Sequence, residues 1–575
     1  MPGGLLNIIA CGNADIILTG NPTKTFFKTV YAKHTNFGIQ KFRLDYNGSR
    51  DLNPNLESKY VFKVPRHAEL LMDAYFVFSL PHIWSTLLPP SMPNDCWKPY
   101  HFKWIENLGT NMIKSVRILI GTQLIQEYNG EYINCIAERD FNEEKKKIFN
   151  NMIGNTVELH HPEFYGGKRN NTYPNAFYTP NITGQEPSIR GRKIYVPLCP
   201  WFMNDSKMAL PLVCLQYSEL SIEITLRPIK EMFTINNINA STLDETIVQN
   251  VNHIYEARLK ELYKRIQPDF AIERHELYRF LQPPPNIELN EDSYLNKTNN
   301  WDADVHIIAN YGFLTQEESK VFALNEQKYL IKDVKINKYI NIVGTKKIKL
   351  ESNALVSNWT WFYRRSDAYL RNEWSNYTNW ESSFLPYDLI KSENSTPYDI
   401  PNVNNIGPGR DIIQEDKTID TYMRIPTNHR NTPLFSIQNQ KFILNSFSIV
   451  IDGKLRETEL DEGVFRFIEK FRGTNSSNDL GLYHYNFCLD TTNYLQPSGA
   501  MNLNRFKTIE FEMTTIVPNV DPDVEHAVLC DADGGVIAVT REEPLYLYTY
   551  DMHLFEERYN VLRFISGNAG LLFAR

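Results

Sequence analysis

Two segments far apart in the chain repeat one pattern, and that repeat limits the available folds more than any other feature. Ser115-Val116-Arg117-Ile118-Leu119-Ile120 alternates in character, turns at Gly121-Thr122 and continues through Gln123-Leu124. Phe447-Ser448-Ile449-Val450-Ile451 does the same and turns at Asp452-Gly453 before Lys454-Leu455. A period of two sends alternate side chains into a core, and Asp-Gly between such runs marks a tight hairpin. The echo predicts two related β domains in one chain. Tyr60-Val61-Phe62-Lys63-Val64 alternates likewise, and Leu70 to Leu80 is a nearly continuous apolar run of the kind found in sandwich cores.

Composition supports more than one core. Of 575 residues, 42% are hydrophobic and 13% aromatic, while 60 basic side chains against 68 acidic ones leave a net charge of −8. That balance disfavours direct nucleic-acid binding, because coating phosphates requires a positive surplus. The opening ten residues carry no basic side chain, and no window approaches about 18 apolar residues, so neither a secretory signal nor a membrane span is expected, and the chain is expected to start in the cytosol. Leu5-Leu6 and Ile8-Ile9 belong either to an arm packed on its own domain or to one that docks on a neighbour or a lipid surface. Seven scattered cysteines without a C-x-x-C pair read as free thiols in a reducing compartment.

Two helices are expected between the β segments. Thr315-Gln316-Glu317-Glu318 has the form of a capping box ahead of Val321, Phe322 and Leu324, a short apolar face. Apolar residues from Leu243 to Ile266 recur at helical spacing inside an insertion spanning Glu231 to Asn300. The stretch from Asn372 to Asn431, rich in Asn, Ser, Pro and Tyr, reads as a long exposed loop.

No catalytic residue, cofactor site or metal-ligand set is named by the sequence. His275-Glu276-Leu277-Tyr278-Arg279 has arginine where a zinc-protease helix needs its second histidine, and is read as a polar helix turn. Ser498 lacks the preceding glycine of a nucleophile elbow and is read as a turn residue. Gly166-Gly167-Lys168-Arg169 is too short for a phosphate loop, and Asp531-Ala532-Asp533-Gly534-Gly535 reads as a hairpin turn without calcium-loop spacing. Asn170, Asn181, Asn239, Asn296, Asn376, Asn394 and Asn475 are candidate glycosylation residues, and Asn47, Asn204 and Asn358 also fit the sequon. They read as chance in an Asn-rich chain; a viral glycosylation system acting on exposed loops is the alternative.

Several blocks, in order, resemble one family. Leu18-Thr19-Gly20-Asn21-Pro22-Thr23-Lys24-Thr25-Phe26-Phe27 with His34-Thr35-Asn36-Phe37 opens the series. Val196-Pro197-Leu198, Pro200-Trp201-Phe202 and Leu215-Gln216-Tyr217-Ser218-Glu219-Leu220 follow, then Tyr311-Gly312-Phe313-Leu314 and Tyr329-Leu330-Ile331. Tyr483-His484-Tyr485-Asn486-Phe487-Cys488-Leu489-Asp490, Gln496-Pro497-Ser498-Gly499 and Ser566-Gly567-Asn568-Ala569-Gly570-Leu571 close it. Together they resemble the major capsid proteins of nucleocytoplasmic large DNA viruses, in the mimivirus-like branch of giant viruses. The chain departs from the family at Asn353-Ala354-Leu355-Val356, where relatives tend to carry an Asn/His-Pro step.

The resemblance implies an all-β fold of two consecutive eight-stranded antiparallel jelly rolls, a double jelly roll with long inserted loops. It divides the chain into an arm facing the capsid interior (1–24), a first roll (25–314) with its insertion at 231–300, a linker helix (315–326) and a second roll (327–575) with its loop at 372–431. It implies a structural subunit without catalysis that forms pseudo-hexameric homotrimers tiling an icosahedral shell. Implied partners are further copies of itself, minor capsid proteins, the inner viral membrane reached through the arm, and host glycans at outer loops. The place implied is the outer shell of the virion, with synthesis and assembly in a viral factory of the host cytoplasm. The rival reading is a carbohydrate-binding or glycan-processing β-sandwich, whose exposed Trp and Tyr would stack on sugars.

Overall fold

The computed structural model describes residues 2–90, 97–162, 175–178, 180, 186–239, 264–381, 440–473, 481–521 and 545–573, with the short strands 403–404, 413–414, 527–530 and 536–540. Two β-sandwiches follow one another along the chain. The first has β1 (Phe37–Asp45), β2 (Ser58–Val64), β3 (Leu70–Ser79), β4 (Ile113–Ile120), β5 (Gln123–Tyr128), β6 (Lys193–Pro197), β7 (Leu220–Leu226) and β8 (His306–Leu314). One sheet runs β2-β7-β4-β5 and the other β1-β8-β3, with β6 and the Leu210–Pro211 pair sharing the free edge of β3. Alternation explains the packing: in β7, Leu220, Ile222, Ile224 and Leu226 are buried against the facing sheet while Ser221, Glu223 and Thr225 point the other way.

The second sandwich has β9 (Gln327–Ile342), β10 (Thr345–Lys349), β11 (Leu355–Arg365), β12 (Leu444–Ile451), β13 (Lys454–Asp461), β14 (Leu482–Asn486), β15 (Ile509–Thr515) and β16 (Tyr550–Ile565). Its sheets run β10-β15-β12-β13 and β9-β16-β11-β14, the same order strand for strand. Even the shared edge recurs, since β14 and the Met501–Asn502 pair both lie along β11. The two look-alike segments, 115–124 and 447–455, are the β4–β5 and β12–β13 hairpins, which occupy equivalent places. Asp452 and Gly453 both take positive φ, 48° and 73°, as a two-residue turn between right-twisted strands demands.

Helices stand outside the sheets. α1 (Gly3–Ile9) lies in the N-terminal arm, α2 (Gly130–Asp140) and α3 (Glu143–Ile153) follow β5, and α4 (Gln316–Leu324) joins the sandwiches. The sequence reading missed α2 and α3, although Asn129 and Asn142 cap them by accepting from Tyr132 N and Lys145 N, both at 2.9 Å. α4 is capped as expected, Thr315 Oγ1 accepting from Glu318 N, but its expected apolar face is not buried: Val321 and Leu324 are exposed, and only Phe322 packs on the core. Of the helix expected from Leu243 to Ile266, residues 243–263 lie outside the described residues, and at its end Arg265–Ile266 is instead a strand, Ile266 pairing with Ile235. Among the described residues no helix is long and apolar enough to cross a membrane.

β11 and β16 are buried on both faces. Trp359, Trp361, Tyr363, Met552 and Leu554 point into the second sandwich's own core, while Phe362 and Phe555 extend the core of the first. The sheet carrying β11 and β16 therefore stands between two cores, its own sandwich's on one face and an extension of the first sandwich's on the other.

Candidate assembly surface

A subunit of the kind the resemblance implies acts through what it holds rigid and what it leaves exposed. Rigidity comes from α2, nine of whose eleven residues are buried beneath β11 and β16. Arg139 at its C-terminal end reaches Glu557 of β16, Nη2 to Oε1 at 2.7 Å, and also donates to Asn358 Oδ1 at 3.0 Å. Asn358 Nδ2 and Tyr132 Oη donate to the same carboxylate at 2.8 and 2.9 Å, and Lys332 Nζ stands 3.5 Å from it. Burial alone would raise the Glu557 carboxyl; the Arg139 and Lys332 charges overcome it and hold the group at about 2. At the other end of α2, Glu131 accepts from Arg364 at 2.7 Å and lies 3.3 Å from His553 Nδ1. Its carboxyl is driven well below the usual range, burial again being outweighed by Arg364 and His553. Charged groups sealed this deeply hold one geometry, because separating them would strand an ion away from water.

A second clasp sits at the end of the chain. The hairpin from β16 into β17 (Asn568–Leu571) turns at Ser566-Gly567, and Gly567 O accepts from Gln216 N at 2.9 Å and Tyr217 N at 3.1 Å. Ser218 Oγ donates to Asn568 Oδ1 at 2.9 Å. Two blocks of the resemblance, Leu215–Leu220 and Ser566–Leu571, thus meet across the sandwiches.

The exposed apolar surface lies elsewhere. Every residue from 2 to 41 is exposed, including Leu5, Leu6, Ile8 and Ile9 of α1 and, further along, Ile17, Leu18, Phe26 and Phe27. The arm is not packed on its own domain. A second patch, unforeseen in the sequence, is formed by Phe467, Ile468 and Phe471 on the helical segment 464–473, Phe471 being 94% exposed. Its signal was present: at helical spacing Phe467 and Phe471 fall on the side away from Phe465, which is buried, so they need a second partner.

The residues singled out in the sequence take structural places. His275 and Arg279 are buried in consecutive 3₁₀ turns rather than in a polar helix turn, with Arg279 donating to Leu289 O and Glu273 O. Ser498 Oγ accepts from Asp490 N and donates to Asp490 O, bracing a loop. Ala527–Cys530 and Val536–Thr540 pair antiparallel, and the acidic turn between them lies outside the described residues, as does Gly166–Arg169. Of the candidate glycosylation residues, Asn170, Asn181, Asn394 and Asn475 lie outside the described residues. Asn239 and Asn296 are exposed. Asn376 is 5% exposed, its Nδ2 donating to Trp380 O at 2.8 Å, so the folded chain has no room for a glycan there. Asn358 is excluded likewise, being buried in the junction.

Comparison with known proteins accords with this architecture. Residues 25–263 match the family model described as "Major capsid protein N-terminus". Over 570 residues the chain is 24% identical to "Probable capsid protein 4" of Acanthamoeba polyphaga mimivirus, covering 92% of this chain and 95% of that one. It is 22% identical to the "Major capsid protein" of Paramecium bursaria Chlorella virus 1, each chain being covered in full. Along almost its whole length the chain is similar to the major capsid proteins of large DNA viruses. The fold of this capsid protein matches a solved subunit of the PBCV-1 capsid with a TM-score of 0.56 at 18% identity, covering 96% of this chain and 100% of that one. Its sandwiches are the two jelly rolls of that fold. The family is structural, so the capsid protein is a component of the virion shell and not an enzyme.

Proposed function

We propose that this capsid protein acts as a homotrimer in which three copies, each contributing two like sandwiches, make a capsomer of pseudo-hexagonal outline. Capsomers of this kind then tile the outer icosahedral shell, assembled in the host cytoplasm. The observation carrying this reading is the strand-for-strand repetition of sheet order in two rolls joined by a sealed junction. Six similar wedges pack around a threefold axis only if the two in each chain keep a fixed relation, and the Arg139–Glu557 network supplies it.

The exposed apolar surface fits two roles. Phe467, Ile468 and Phe471 suit a contact between neighbouring subunits, where aromatic side chains are enriched. The arm, exposed throughout its described residues, suits attachment to minor capsid proteins or to a membrane beneath the shell. Exposed loops bearing Asn239 and Asn296 suit glycan attachment or contact with host glycans.

Light scattering on the purified chain tests the assembly. The expected species has three times the chain mass at micromolar concentration. A folded monomer that stays monomeric as concentration rises would refute the trimer.

A further inference from the structure

A cavity of about 20 Å³ lies on the seam between the two sandwiches, away from the Arg139–Glu557 network. That volume holds one water or one ion. Glu106 enters it from the turn after the short strand Lys103–Trp104, and His160 and His161 enter from the end of a one-turn helix (Val157–His160). One carboxylate oxygen of Glu106 and one ring nitrogen from each histidine lie within 4.8 Å of one another. His161 Nε2 is 3.7 Å from Glu106 Oε1, and the two imidazoles stand edge to face at 82° with centroids 4.7 Å apart.

The opposite wall comes from the second sandwich and carries Glu373. Its segment is pinned at three places. Asn372 Nδ2 donates to Phe233 O at 2.8 Å, Trp374 Nε1 donates to Glu231 O at 3.0 Å, and Ser375 Oγ accepts from Asn111 Nδ2 at 2.7 Å. Glu373 is thus presented to the cavity by backbone already fixed on both sides, which is the preorganisation a ligand site needs.

We infer that this cluster is a divalent-metal site, suited to Zn²⁺, in which Glu106, His160 and His161 from the first sandwich and Glu373 from the second clasp one ion across the seam. Two imidazoles with carboxylate oxygens are a donor set that favours zinc over magnesium or calcium. Ligand atoms about 2.0–2.2 Å from a common ion lie closer together than the 4.8 Å that spans Glu106, His160 and His161, so their side chains rotate inward by roughly 1 Å to close on it, and Glu373, which lines the same cavity, turns its carboxylate in from the opposite wall. Lys103 and Arg371 also border the cavity. Arg371 is held by Asp367, Nη2 to Oδ2 at 3.0 Å, and the two carboxylates offset Lys103. The inference does not depend on the trimer, since all four ligands come from one chain.

Full-length protein, stripped with EDTA and dialysed, is titrated with ZnCl₂ by calorimetry, and its bound metal is measured by mass spectrometry. One zinc per chain and a melting temperature raised by several degrees are expected. Loading with Co²⁺ should give the visible absorption bands of a four-coordinate site, a readout that needs no variant. Glu106→Gln and His161→Asn, checked for folding by circular dichroism, should each weaken zinc at least about tenfold, whereas His34→Asn on the exposed arm should leave it unchanged. Less than about a tenth of an equivalent of zinc, missing cobalt bands, or equal affinity in folded Glu106→Gln and the parent would each overturn the site.

Discussion

Arg139 at the end of α2 and Glu557 in β16 meet at 2.7 Å with side chains 2% and 1% exposed, joining the first sandwich to the second through a buried ion pair. Glu557 answers two cations at once, Arg139 and Lys332. Glu557→Gln keeps the shape and removes the charge, leaving Lys332 buried against a neutral amide while Arg139 retains only Asp140. The expected loss is about 3–5 kcal/mol, the range for breaking a buried pair from one side. Equilibrium denaturation in urea measures it, and an unchanged midpoint would show that the junction is not what ties the rolls together.

The same carboxyl makes the junction acid-sensitive in a defined window. Glu557 is held at about 2 against an ordinary 4.5, so the unfolded chain takes up this proton more readily than the folded one. The stabilisation is fully present above pH 4.5 and is lost as pH falls from there toward 2. Glu131, also driven down, acts with the same sign. His484 adds to it from a higher starting point: burial, then Lys470 and Arg139, push its pKa well below 6.5, so stability begins to fall once pH drops below 6.5. Melting temperature against pH should decline below pH 6.5 and steepen below 4.5. His484→Gln should flatten the upper part only, and an identical slope in that variant would remove His484 from the account.

Glycines with the same backbone but different surroundings separate strain from contact. Gly453 has φ +73° with open space around it, whereas Gly567 has φ +79° and a Cβ built there would stand 2.7 Å from the Tyr217 ring. Gly453→Ala carries only the left-handed penalty of about 1–2 kcal/mol. Gly567→Ala carries that penalty and also pushes the C-terminal hairpin off Gln216 and Tyr217. Thermal melts should rank Gly567→Ala below Gly453→Ala, and the reverse order would mean that the clasp at Gly567 contributes nothing.

Much of the architecture is legible in the sequence because period two survives wherever one face of a strand is solvated or one core dominates. The β4–β5 and β12–β13 hairpins announce themselves through alternation and through Gly121 and Asp452-Gly453. The junction is not legible for the same physical reason. In β11, Asn358, Thr360 and Arg364 alternate with Trp359, Trp361 and Tyr363, as they would on a strand with one wet face. Those polar residues are instead covered by α2, and only the partner across the chain shows that Asn358 and Arg364 meet Glu557 and Glu131. The clustering of Glu106, His160, His161 and Glu373 is hidden likewise, since no local spacing joins them.

Deleting residues 1–24 separates folding from attachment. No described residue in that stretch is buried, and α1 contributes nothing to either core. The truncated chain should therefore melt within about 1 °C of the parent, because surface segments without packing carry little stability. It should also keep the same number of copies per particle by light scattering, since the arm lies outside both sandwiches. What it should lose is co-sedimentation with liposomes or with the layer beneath the shell, because Leu5, Leu6, Ile8 and Ile9 are the apolar groups it removes. An insoluble product, or a melting temperature lowered by many degrees, would place the arm in the folding core instead.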